Sequence, residues 1–167
     1  MKMKCLGALT MAAMLVLPLV PHVALAHETA ETSQMTAPLE GGAGRAAKVV
    51  DAFHAALKVG DTAAAAAMIS DRAVIYEAGE AERSKTEYTA GHLAADAAFE
   101  KTAHDQVLRR TGGTTGRMAW IATEGQTETG SGDARKIRLT TETMVLEAIH
   151  SQWRIVHIHW SSRAARP

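Results

Sequence analysis

The chain has 167 residues, with 18 Lys and Arg against 18 Asp and Glu, 47% hydrophobic residues, 4% aromatic residues and one cysteine. This balance excludes a cationic surplus for gripping a phosphate backbone, a polar bias that would prevent core formation, and a cysteine framework stapling a mini-protein. A globular chain remains.

The first 26 residues read as a targeting segment. Lys2 and Lys4 precede an apolar run from Leu6 to Val20, and Ala24-Leu25-Ala26 puts small residues where a signal peptidase reads them. Pro18 and Pro21 break the run, which falls short of the roughly 20 apolar residues of a membrane span, and Cys5 comes too early to be a lipoprotein's lipid-bearing cysteine. The expectation is a cleavable signal peptide cut after Ala26, giving a periplasmic or secreted protein that is free of the membrane. Residues 27–167 then carry 16 basic and 18 acidic side chains and no cysteine, which excludes thiol nucleophiles, thiolate metal sites and dithiol redox chemistry. A chain of this size makes one domain without disulfides.

Residues 27–44 lack an apolar period and read as a flexible leader. Cleavage after Ala26 would leave His27 first, where its α-amine and imidazole could chelate Cu(II) with Met35 nearby. The plainer alternative is an incidental histidine in a loose tail.

From Arg45 the apolar residues Ala46, Val49, Val50, Phe53, Ala56 and Leu57 recur at helical steps, and Gly60 follows as a stop. Asp61 can cap a second short helix over 62–69, rich in alanine. Val74, Ile75 and Tyr76 predict a strand over 72–77, and residues 77–80 a turn. Ser84-Lys85-Thr86-Glu87 fits a capping box, and the helix it opens should run to about Thr102, placing Tyr88, His92, Ala95, Asp96 and Phe99 along one side. Strands follow at 107–110, 117–124, 135–149 and 152–161, separated by glycine-rich breaks at 112–116 and 130–133 and a short turn at His150-Ser151. The order is α+β, with helices covering one face of a bent antiparallel sheet, and residues 164–167 form a tail.

The closing strand Trp153–Ser162, its partner Thr141–Leu146 and the helix-helix-strand opening from Val49 to Glu77 resemble the SnoaL-like members of the nuclear transport factor 2-like superfamily, over about Arg45 to Arg163. The resemblance implies a cone-shaped α+β barrel in which a curled antiparallel sheet wraps a long helix and leaves a pocket at its open end. It covers isomerases, dehydratases, cyclases and scaffold modules, so it chooses no function. The Asp and Tyr set of the superfamily's steroid isomerases does not map onto this chain. His92 with Asp96 is only a loose echo of its dehydratases, so neither activity carries over.

Strict alternation along the last strand puts Trp153, Ile155, His157, His159 and Ser161 on one face and Arg154, Val156, Ile158 and Trp160 on the other. If the first face is concave, as the resemblance implies, His157, His159 and Ser161 line the pocket opposite Tyr88, His92 and Asp96. The convex face with Val156, Ile158 and Trp160 is then a candidate homodimer surface. Three readings of the histidines stay open. They are structural, bonded to Asp96, Glu142 or backbone carbonyls; or they do acid/base work, with Asp96 orienting His92; or His92, His157 and His159 bind Zn, Cu or Fe with Glu77 or Glu142.

Tyr76 and Tyr88 could donate phenols to a ligand or sit in the core. Glu80, Glu82 and Arg83 read as a solvated turn, and Trp120 and Phe99 as core. Glu142, mid-strand, would need a partner if it faces inward: Arg138, His92 or a metal. The functional expectation is an exported small-molecule-binding protein with a His-rich polar pocket, an acid/base enzyme if it is one at all and needing no cofactor. The alternatives are an envelope Cu or Zn protein and a non-catalytic dimeric interaction module, with no nucleic-acid partner in any of them.

Overall fold

The computed structural model describes residues 38–166. The signal segment, His27 and Met35 lie outside the described residues. The order of elements is α1 (Gly41–Val59), α2 (Thr62–Met68), β1 (Ile69–Glu77), β2 (Glu80–Glu82), α3 (Lys85–Ala90), α4 (Leu93–Glu100), β3 (His104–Thr115), β4 (Met118–Thr129), β5 (Lys136–Ile149) and β6 (Gln152–Ala164). Six strands form one curved, unclosed sheet in the order β2-β1-β6-β5-β4-β3. Strands β3 to β6 are an antiparallel meander, as expected, and β1 joins β6 in parallel. Among the described residues no helix is long and apolar enough to cross a membrane.

Helix α1 ends at Gly60, whose φ of 76° lets its amide close on the carbonyls of Ala56 and Leu57. It starts at Gly41, so residues 41–44 belong to its first turn and not to a loose leader. Its buried stripe of Ala46, Val50, Phe53 and Leu57 packs on the sheet. Asp61 caps α2 through the amide of Ala64 at 2.9 Å. Ser84 caps α3 through the amide of Glu87 at 3.1 Å, while the Glu87 carboxylate returns to the amide of Arg83 at 2.7 Å. The single helix expected from there to Thr102 is two, broken at Gly91, where the backbone leaves helical geometry. Gly112 and Gly113, expected in a loop, lie within β3. The indole of Trp120 stands beside Gly113, where an added Cβ would come within 3.0 Å of its Nε1.

The concave face is laid out in rows by the strand register. Ile155, Leu146 and Ala119 form one row, and Ile158, Met144 and Ile121 the next; both are fully buried beneath α1. The following rows turn polar: Trp160, Glu142, Thr123 and Arg110, then Ser162, Thr140, Gly125 and Val107, then Arg138, Thr127 and Asp105. The core therefore occupies one end of the curled sheet, and the other end is lined with groups that can do chemistry.

The face assignment expected for β6 is reversed beyond Ile155. Leu146 pairs with Ile155 and Val145 with His157, so Val156 is an extra residue, a β-bulge, and alternation restarts after it. Ile155 and Ile158 are thus both inside, Trp160 is inside, and His157 and His159 face outward beside Tyr76, with ring centroids 5.3 and 6.3 Å from its ring. Ile158 and Trp160 accordingly form no outer dimer surface. The outer face carries instead the row Val74, His157, Val145 and Trp120. Trp120, expected in the core, is 47% exposed because it stands on that face.

The reversed parity gives a direct check. Ile158→Ala should cost about 2–5 kcal/mol in urea unfolding, whereas His159→Ala should stay within about 0.5 kcal/mol. Equal effects would contradict the bulge.

Candidate functional site

At the polar end of the concave face lies a cavity of about 860 Å³, bounded by α1, α4, the end of β1 and the inward rows of β3 to β6. That volume is in the range that holds a drug-sized molecule. The centre of its chemistry is a pair that joins the first helix to the fifth strand: His54 Nε2 donates to Glu142 Oε2 at 2.6 Å. Trp160 Nε1 donates to the same oxygen at 2.8 Å, and its indole stacks on Phe53 at 6.3 Å between centroids. Glu142 is buried, and its Oε1 has no hydrogen-bond partner among the described residues.

The electrostatics follow from this contact. Burial pulls the His54 pKa down, but the hydrogen bond and charge of Glu142 outweigh it and the net shift is upward. Burial pushes Glu142 up, and His54, Trp160 and Arg110 outweigh it, so its carboxyl sits below the ordinary carboxylate range. Each partner thus favours the charged form of the other. Arg110 is held by Asp51 at 2.5 Å and by Thr123 at 3.1 Å.

A second group comes from the α3–α4 break. Tyr88, fully buried, donates its hydroxyl to Asp96 Oδ2 at 2.7 Å. Burial raises the Asp96 pKa, and the Tyr88 hydrogen bond only partly offsets it. Asp96 and Glu77 both line the cavity, and Glu77 is raised by burial and then by the charge of Asp96. At the end of α4, burial and then Asp105 push Glu100 up to about 7. Lys58 faces Asp105 at 3.7 Å.

Against the residues expected from the sequence, the cavity gathers Asp96, Glu142, Glu77 and Ser161. Tyr88 backs it through Asp96. His157, His159 and Tyr76 are not in it: the bulge turns the two histidines to the outer face beside Tyr76 of β1, and there His157 Nδ1 lies 2.8 Å from the Val74 carbonyl, the structural reading of that histidine. His92 is exposed at the start of α4 and pairs with Glu82, not with Asp96, and this contact raises its pKa. Glu82, expected in solvent, is buried by it. The proposed ligand set His92, His157, His159 and Glu77 is therefore not brought together. Among the described residues no cluster of three or more His, Cys, Asp or Glu side chains could hold a metal. Phe99, expected in the core, is a half-exposed cavity residue.

His54 was missed. It lies one residue off the buried Val50–Phe53–Leu57 stripe, and nothing in local sequence couples it to a glutamate 88 positions later. The usable signal was the isolated strand carboxylate at Glu142, which demanded a cationic partner.

A curled sheet wrapped over a long helix, with a polar cavity at its open end, defines the cone fold of the nuclear transport factor 2-like proteins. Residues 46–165 match the SnoaL-like domain family, and the chain belongs to it. A structure from Shewanella frigidimarina named as a putative ketosteroid isomerase is similar at 33% identity and a TM-score of 0.64, over 70% of this chain and 94% of that one. A Xanthomonas campestris structure, named as a putative calcium/calmodulin-dependent protein kinase II association domain, shares the fold at 19% identity and a TM-score of 0.61, over 75% and 91% of the two chains. So does a putative dehydratase from Streptomyces avermitilis, at 15% identity and a TM-score of 0.62, over 72% and 95%. No curated protein matches the chain.

The His54–Glu142 pair gives stability a pH dependence whose sign is fixed. With the folded pKa above the ordinary 6.5, the native state holds a proton that the unfolded chain releases first. The contribution is complete below 6.5 and is lost as pH rises through the raised value. Urea unfolding of wild type and His54→Gln should therefore converge as pH is raised. A constant gap between the two curves would contradict the ion pair.

Proposed function

We propose that this is an exported small-molecule-binding protein whose cavity carries out proton transfer, with His54 as general acid and Asp96 as general base. One observation carries the reading: a histidine hydrogen-bonded to a buried carboxylate that strengthens its hold on a proton, in the same cavity as a half-buried aspartate whose affinity for a proton is raised. With a β,γ-unsaturated ketone, Asp96 would take the α-proton while His54 donates to the carbonyl oxygen, giving a dienol; Asp96 then returns its proton to the γ-carbon as the O–H proton goes back to His54, which leaves the α,β-unsaturated ketone. With a β-hydroxy ketone, the corresponding enol expels the hydroxyl as water, protonated by Asp96, while the O–H proton returns to His54, which gives a dehydration. The likeness to a protein named as a putative ketosteroid isomerase supports this class.

The test uses protein recovered from the periplasmic fraction, where cleavage after Ala26 gives an N-terminus at His27. Deuterium exchange and product formation are followed by NMR on a panel of β,γ-unsaturated and β-hydroxy ketones. Turnover by wild type and a loss of about 10²–10⁴-fold in Asp96→Asn and His54→Gln support the reading. Turnover unaffected by either substitution, or none on the whole panel, overturns the enzymatic part; retention of the uncleaved chain in the cytosol overturns export.

A homodimer through the outer sheet face accompanies this reading. Tyr76 and Trp120, 45% and 47% exposed, stand there with Val74 and Val145, an apolar surface of the kind that partners cover. Light scattering should give a dimer that Trp120→Glu converts to monomer. A wild-type monomer at micromolar concentration would rule it out.

A further inference from the structure

Resting on the cavity reading above, we propose that the ligand is an organic anion, an apolar body bearing a carboxylate or sulfonate that is received by Arg138. Inward positions on β5 run Arg138, Thr140, Glu142, so Arg138 belongs to the same face as the carboxylate that pairs with His54, its Cα about 13 Å further along the strand. Arg138 lines the cavity. Its Nε donates to Ser162 Oγ at 2.9 Å and its Nη2 to the Ser162 carbonyl at 3.2 Å. Those two bonds hold the planar group by one edge. They leave its Nη1 without a hydrogen bond to any described residue, and no carboxylate of a described residue forms an ion pair with it.

The other cationic side chains of the cavity have acidic partners: His54 with Glu142, Lys58 with Asp105, Arg110 with Asp51. Asp105, the acidic residue on the same row as Arg138, is two strands away and accepts from Thr127 at 2.6 Å. The other acidic residues, Glu77, Asp96 and Glu100, come from β1 and α4. Around Arg138 the neighbours are instead hydroxyls: Thr127 spends its proton on Asp105, while Ser162 and Thr140 can add hydrogen bonds to an oxyanion. An oriented guanidinium with an unspent edge, flanked by hydroxyls, is suited to a carboxylate or sulfonate. Between the row of Arg138 and that of Glu142, Val107 and Gly125 leave room for an apolar body.

The test compares two dyes of one shape, 8-anilinonaphthalene-1-sulfonate and its neutral counterpart N-phenyl-1-naphthylamine, by fluorescence titration of wild type, Arg138→Met, Arg138→Lys and a cavity-filled Ala95→Trp. The sulfonate should bind wild type at least tenfold more tightly. Arg138→Met should bring it down to the affinity of the neutral dye and leave the neutral dye unchanged, with partial recovery in Arg138→Lys and a loss of the preference at high salt. Equal affinities in wild type, or a preference that survives in Arg138→Met, overturn the anion proposal while the cavity stands. Failure of both dyes to bind, or binding that Ala95→Trp does not weaken, overturns the cavity reading along with it.

Discussion

One additional residue in β6, Val156, sets the arrangement on which the site depends. A strand turns alternate side chains to opposite faces, so a single inserted residue exchanges every later position. Without the bulge, the two histidines would face α1 and Trp160 would face out. With it, Ile155 and Ile158 both enter the core, and Trp160 reaches the concave face beside Glu142. The indole then does two things: it stacks on Phe53 of α1 and donates to the carboxylate. Core and site are thus joined at the row where the sheet changes from apolar to polar.

Glu142 is the costly element in that row. A buried carboxylate persists only if paired and hydrogen-bonded, and the imidazolium of His54 with the Trp160 indole supplies both. The same contact tethers α1 to β5 at the edge of the cavity and raises the histidine's affinity for a proton. Asp96 is poised differently: it is raised by burial and steadied by Tyr88 across the helix break at Gly91. That break is what allows the Tyr88 hydroxyl, from α3, to meet a carboxylate on α4.

The two faces of the sheet divide the labour. The concave polar rows hold titratable groups within a cavity, while the outer face displays Tyr76, Trp120 and the two strand histidines.

The amino-acid sequence by itself determined most of the secondary structure, because the signals are local: the apolar period and Gly60 of α1, the Asp61 and Ser84 caps, and the hairpin turns of the meander. The residues of the closing strands were also enough for the family. Site membership was only partly legible. Glu142 and Asp96 stood out as polar residues in apolar settings, but their partners, His54 and Tyr88, are set by packing. A pairing across 88 residues has no local signature. Nor does a bulge, since its extra residue is visible only against the register of the neighbouring strand. Tertiary structure therefore decided which face of β6 lines the cavity, and with it that His157 and His159 stand outside while His54 stands within.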